Sequence, residues 1–203
     1  MEKLTDRKSI GDSIKAVFFD IDGTLVSFET HAVPESARRA IERLRERGIK
    51  VFISTGRLLR HTEVVRDIEV DGYVTVNGSY CVTRDGKTIF ERSFPHDTVE
   101  RILTHEDIYV DRLSERVLTI AEMIHIMPQV ADLRRITAEN PVLQVCPYVG
   151  EEIERRIMPQ LPECVGSRWI PTFMDINMRG TDKSVGARKV MEYYGLSMSE
   201  AMA

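Results

Sequence analysis

The sequence predicts an α/β protein, a doubly wound parallel sheet interrupted by an α+β insert. Three observations carry this. The short apolar runs Lys15–Asp20, Lys50–Ser54 and Gly72–Val76 lack inside–outside alternation, as strands buried on both faces require. Helical stretches separate these runs, giving strand, helix, strand, helix, strand. After Asn77 the pattern changes to hairpins mixed with helices, and the parallel pattern resumes at Thr181.

Taken in order, Lys15–Asp20 (KAVFFD) reads as the first strand and ends in an acid, with Asp20–Thr24 a tight Gly-bearing loop. Pro34–Arg47 reads as a helix. Pro34 suits the first helical position, Glu35 the first turn, and Ala37, Ala40, Ile41 and Leu44 form one apolar stripe before Gly48 closes it. Lys50–Ser54 is the second strand and runs into Thr55-Gly56-Arg57, with a helical stretch expected over Leu58–Asp67. Gly72–Val76 is the third strand, ending at Asn77-Gly78.

Tyr80–Thr83 and Lys87–Glu91 flank Arg84-Asp85-Gly86, the mark of a hairpin. Helices are expected near Asp97–Thr104 and Ala121–Glu139, the second broken or kinked at Pro128. Pro141–Val149, Glu151–Met158 and Phe173–Met178 read as strand, helix, strand. Asp182–Tyr194 is helical: Ala187, Val190, Met191 and Tyr194 recur on one face, and Gly195 ends it. The expected organisation is a core over residues 14–80, an α+β insert over 81–179, and a second part of the core over 180–203. The polar amino-terminal stretch reads as a frayed extension.

Composition narrows the function. A net charge of −4 gives no electrostatic footprint for nucleic acid, and the 203 residues contain no run of apolar residues long enough for a membrane span. The polar start lacks the apolar core of a signal peptide. Cys81, Cys146 and Cys164 match no zinc or redox spacing, so reduced thiols and a cytoplasmic location are expected.

In open α/β sheets ligands bind at the carboxyl ends of the strands. Asp20, Asp22 and Thr24 stand there after the first strand, Thr55 after the second and Asn77 after the third, with Lys183 opening the helix after the insert. Two carboxylates two residues apart on a bending loop suit phosphoryl chemistry. One attacks phosphorus and the other exchanges protons with the leaving oxygen and with water. Carboxylates crowded against a phosphate dianion need a cation, usually Mg²⁺. Thr55 and the backbone at Gly56 suit phosphate oxygens, and Lys183 offsets negative charge. Each has a plainer reading. The Asp pair could be a turn, Thr55 a helix cap, Lys183 a surface lysine, and Arg57 a solvated side chain.

Asp20-Ile21-Asp22-Gly23-Thr24 is similar to the DxDGT signature of the haloacid dehalogenase-like phosphatases. Four fixed residues of this kind occur by chance in about one of several hundred chains of this length. Ser54-Thr55-Gly56-Arg57 resembles the family's second motif and Lys183 its third-motif lysine. Val76-Asn77-Gly78-Ser79 and the large insert resemble the Cof-type subgroup. The resemblance runs from about Lys15 to Ala203. It implies a Rossmann-like core with a cap, and a Mg²⁺-dependent phosphatase of small cytosolic metabolites such as sugar phosphates, working through an aspartyl-phosphate.

By the resemblance, Asp20 and Asp22 are catalytic and hold the metal. Thr55, Gly56 and Lys183 bind phosphate; Arg57 and Asn77 bind substrate. The acidic fourth motif of the family has no counterpart before Ala203. The sequence therefore also admits an impaired or merely phosphate-binding chain. It further leads to the expectation that the strand pairing with the first one follows Ala203, which would leave Ala16–Asp20 as an open edge. A receiver domain is set aside because the third strand ends in Asn77, and a dinucleotide enzyme because no GxGxxG follows the first strand.

Overall fold

The computed structural model describes residues 13–27, 29–103, 113–124 and 127–203. The amino-terminal stretch up to residue 12, expected to fray, lies outside the described residues. In chain order the first elements are β1 (Ala16–Phe19), α1 (Glu35–Glu46), β2 (Lys50–Ser54), β3 (Gly72–Thr75), β4 (Tyr80–Thr83) and β5 (Thr88–Glu91). There follow α2 (His96–Leu103), α3 (Glu115–Ile124), α4 (Leu133–Glu139), α5 (Glu151–Ile157), β6 (Cys164–Ile170), β7 (Phe173–Met178), α6 (Lys183–Tyr193) and β8 (Ala201–Met202). The chain divides into two compact units, one up to Glu91 with Thr181–Ala203, the other Arg92–Gly180.

The first unit is built on a sheet of order β5-β4-β3-β2-β1-β8. Strands β8, β1, β2 and β3 run parallel, while β4 and β5 extend the sheet antiparallel. The unalternating apolar runs have their physical reason in β2. Val51 and Ile53 face one apolar cluster with Ile41 of α1, and Phe52 faces another with Ala187, Val190 and Met191 of α6. All three β2 side chains are fully buried, and each such burial stabilises by about 1.5–3 kcal/mol. Phe18 of β1 stacks on Phe52 with ring centroids 5.0 Å apart. Beneath α6 the Cys81 thiol is fully buried, and burial pushes its pKa up to about 12.

The second unit has a two-stranded antiparallel sheet, β6 with β7. Alternation along β7 sends Met174, Ile176 and Met178 into an apolar cluster with Ile157, Leu161 and Ile102. Its other side chains include Asp175 and Asn177. The Asp175 carboxylate accepts from the Gln144 amide at 3.0 Å and the Cys146 thiol at 3.2 Å, and Asn177 donates to Gln144 at 3.2 Å. Among the described residues no helix is long and apolar enough to cross a membrane.

Several expectations change. The hairpin assigned to the insert from residue 81 belongs to the core sheet, since Cys81 pairs with Val74 and Val82 with Tyr73. Cys81 and Val82 are buried on opposite faces, as an interior strand requires. The second compact unit starts at Arg92, not at residue 81. The open edge expected along Ala16–Asp20 is partly closed, because Ala16 and Val17 pair with Ala201 and Met202 of β8. Leu58–Asp67 forms two 3-10 turns, Leu59–His61 and Glu63–Val65, rather than one helix. Within Pro141–Val149 only Val145 bridges the sheet, and prolines at 141 and 147 cannot donate to a ladder.

Candidate active site

The first unit brings the expected residues to the carboxyl edge of its parallel strands. The loop after β1 is a compact turn: Val26 N–H donates to Ile21 O at 2.8 Å and Gly23 N–H to Val26 O at 3.0 Å. Ile21 and Leu25 sink into the core and anchor the loop. Asp20 and Asp22 stay at the surface, with side chains 37% and 42% exposed. One Asp20 oxygen accepts the Ile21 N–H at 2.8 Å, and the other accepts the Lys183 ammonium at 2.6 Å.

Lys183 reaches Asp20 because α6 sits very close to the sheet. A Cβ on Gly186 would lie 2.5 Å from Val74 Cγ1 and 2.9 Å from Gly78 Cα. A Cβ on Gly78 would lie 2.0 Å from the Asp182 carbonyl oxygen, and its φ of 92° lies in the left-handed region. The two missing side chains set the height of the helix, and Lys183 is its first residue. Asp182 caps it, accepting Val185 N–H at 2.8 Å and the Ser184 hydroxyl at 2.6 Å. These bonds, the Ser184 one first, hold the Asp182 carboxyl below its ordinary pKa.

The turn after β2 holds Thr55, Gly56 and Arg57. Thr55 is fully buried, and its hydroxyl accepts the Arg57 N–H at 3.1 Å, which leaves the hydroxyl proton to donate. The Arg57 guanidinium grips Asp22, Nε to one carboxylate oxygen at 2.9 Å and Nη2 to the other at 2.7 Å. That hydrogen bond raises the Arg57 pKa further, so the group is always charged. His61 lies on the next turn, and burial together with the Arg60 and Arg57 charges lowers its pKa.

The turn after β3 locks onto this one. Val76 N–H donates to Arg57 O at 3.0 Å and Asn77 N–H to Thr55 O at 3.2 Å. Both residues have left-handed φ, 53° and 51°. For a β-branched valine such a conformation costs on the order of 1–3 kcal/mol. The Asn77 side chain takes the space a side chain at Gly56 would need, with Oδ1 3.0 Å from the position of its Cβ.

The expected residues thus form two linked sets, Asp20 with Lys183, and Asp22 with Arg57, Thr55, Gly56 and Asn77. Sequence reasoning missed Gly186, which no chemical motif marks, and the left-handed backbone of Val76, which a β-branched residue does not suggest. The residue types fit a hard divalent cation in donor chemistry, since the exposed groups on the β1 loop are carboxylate oxygens. No group of three His, Cys, Asp or Glu able to hold a metal occurs among the described residues. A cleft of about 550 Å³ lined by Arg45, Asp71, Arg84, Tyr193 and Tyr194 holds none of these site residues.

Known proteins resemble this chain over most of its length. A family model described as haloacid dehalogenase-like hydrolase matches residues 17–110. The solved structure of BT1666 from Bacteroides thetaiotaomicron, described among phosphatases of the haloalkanoate superfamily, is 32% identical. It superposes with a TM-score of 0.89, covering 100% of this chain and 80% of that one. The sugar phosphatase BT4131 is 31% identical with a TM-score of 0.79, over 92% of this chain and 78% of that one. The HMP-PP phosphatase of Klebsiella pneumoniae is 25% identical over 93% of this chain and 76% of its own length.

Proposed function

We propose, from the premise that this chain belongs to the haloacid dehalogenase-like hydrolases and is a phosphatase of their Cof type, that it cleaves small phosphate monoesters in two steps on Asp20. The observation that carries this is the Asp20–Lys183 contact of 2.6 Å, with Asp22 two residues further along the same turn. In the first step the Asp20 carboxylate attacks phosphorus, the ester P–O bond breaks, and Asp22 gives a proton to the leaving oxygen. In the second, Asp22 takes a proton from water, whose oxygen attacks the phosphoryl group and frees Asp20 and phosphate. Lys183 balances the Asp20 and phosphoryl charges throughout. The Thr55 hydroxyl and the backbone at Gly56 hold phosphoryl oxygens, and Asn77 borders the substrate.

The Asp20 carboxylate and the main-chain oxygen of Asp22 would hold Mg²⁺, with water and phosphate oxygens completing its shell; when bound, the ion neutralises charge on the phosphoryl group. The substrate class is the sugar phosphates. The support is the 31% identity to a sugar phosphatase; a phosphatase named for HMP-PP is 25% identical and extends the panel to other phosphorylated metabolites. We place the reaction in the cytoplasm, in keeping with free thiols at Cys81, Cys146 and Cys164.

The test is phosphate release from a panel of sugar and nucleotide phosphates with Mg²⁺, comparing the wild type with Asp20→Asn. Turnover should vanish in the variant, and acid quenching of the wild type should trap phosphate on Asp20. Full activity in Asp20→Asn would sink the nucleophile assignment. Phosphate binding without turnover on every substrate would favour a phosphate-binding role instead.

A further inference from the structure

Arg57 stands where the sequence suggests a substrate contact, yet its guanidinium is already engaged at three nitrogens. Nε and Nη2 take the two oxygens of Asp22 at 2.9 and 2.7 Å, and Nη1 donates to the His61 carbonyl at 3.1 Å. Its backbone is fixed as well, by the Thr55 hydroxyl on its N–H and by Val76 N–H on its carbonyl. Both the root and the tip of this long side chain are therefore held, and its fork meets a carboxylate in the two-bond geometry that fixes orientation best.

Asp22 has the opposite character. It lies on a surface turn, 42% exposed, and a short acid in that position is free to rotate unless something selects one rotamer. Each carboxylate of the β1 loop has its own cation: Lys183 contacts Asp20, and Arg57 contacts Asp22. The two cations come from different elements, so the two acids are oriented independently. We infer that Arg57 is a positioning residue for Asp22 and not a substrate contact: its fork holds the Asp22 carboxylate at the orientation from which it serves the leaving oxygen and the attacking water. This rests on the role given to Asp22 above.

A double-mutant cycle tests it, using Arg57→Ala, Arg57→Lys, Asp22→Asn and Arg57→Ala with Asp22→Asn. Activity is followed with Mg²⁺ on p-nitrophenyl phosphate and on a sugar phosphate, and inorganic phosphate binding by calorimetry. Arg57→Ala should lower kcat roughly 10- to 100-fold. KM and phosphate affinity should stay within about twofold, because ground-state binding is not touched. Arg57→Lys should restore only part of kcat, since an ammonium cannot make the paired bonds. In the Asp22→Asn background Arg57→Ala should change kcat by less than about twofold, the signature of two groups acting as one.

A KM or phosphate Kd raised about tenfold with kcat preserved would assign Arg57 to substrate binding. Independent, multiplicative losses would overturn the coupling while leaving the functional reading intact. Wild-type turnover in Asp22→Asn would overturn both. A readout that needs no turnover is the Arg57 Nε–H resonance, which should shift and lose protection from exchange in Asp22→Asn. An unchanged resonance would show that the pair does not form.

Discussion

On one face of the core sheet, α1 rests on side chains: Ile41 reaches down to Val51 and Ile53, and large aliphatic groups fill the space between backbones. On the other face, the first turn of α6 has Gly186 against Val74 and Gly78, with no room for even one added methyl. Both faces are buried, and both stabilise the fold. Only the second carries a site residue, because a helix resting on long side chains can shift a few tenths of an ångström at little cost, whereas a helix start pressed onto Val74 and the Gly78 backbone cannot. The end of α6 that needs positional accuracy is the one seated on the sheet through glycines, Gly186 and Gly78.

Gly186→Ala should have the largest effect on activity. The added methyl must lift the start of α6 from Val74, carrying Lys183 away from Asp20, and kcat per folded molecule should fall roughly 10²-fold. Denaturant melts run beside the kinetics separate this from loss of folded protein. If kcat per folded molecule survives, the close approach is a packing accident. Ile41→Ala is the counterpart on the α1 face. It should cost about 2–5 kcal/mol in urea unfolding yet leave kcat of the folded fraction nearly unchanged. An equal kinetic penalty on both faces would erase the distinction.

Asp182→Ala gives the smallest effect, a stability loss of about 0.5–2 kcal/mol at neutral pH from the missing cap. Because the folded-state pKa of Asp182 is depressed, its contribution is present above the ordinary carboxylate pKa. It fades as pH falls through the lowered folded value. The difference in stability between wild type and Asp182→Ala should therefore be constant near pH 7 and shrink on acidification below about pH 4. A difference that persists unchanged at low pH would mean the carboxylate charge plays no part in the cap.

How much of this was legible follows from the same contrast. The DxDGT run, the strand ends and the stripe of α1 are written in residue types, so Asp20, Asp22 and the core strands could be read directly. Glycines are ambiguous in that reading. Gly186 inside a helix looks like a minor defect until the neighbouring Val74 and Gly78 are seen. The Arg84-Asp85-Gly86 turn is legible as a hairpin, but local sequence cannot say which sheet a hairpin joins, and the pairing of Cys81 with Val74 is what puts it in the core. β6 went unread because Gly166 and Arg168 break its apolar pattern, and Arg168 is spent on Glu154, on the Val149 carbonyl and on the Pro171 and Phe173 carbonyls around the β6–β7 turn. The ion pair of Arg57 with Asp22 depends on a side-chain direction that no periodicity encodes.

The Cys81 thiol lies in the seam between the sheet and α6, 3.7 Å from the Gly186 carbonyl oxygen and 3.9 Å from that of Gly78. Thiol reagents attack the thiolate, and a buried sulfur with a pKa near 12 offers almost none and no route of approach. Alkylation at this position therefore has to wait for the seam to open. The protein carries its own stopwatch for the parting of α6 from the sheet, wound by a residue that takes no part in the chemistry.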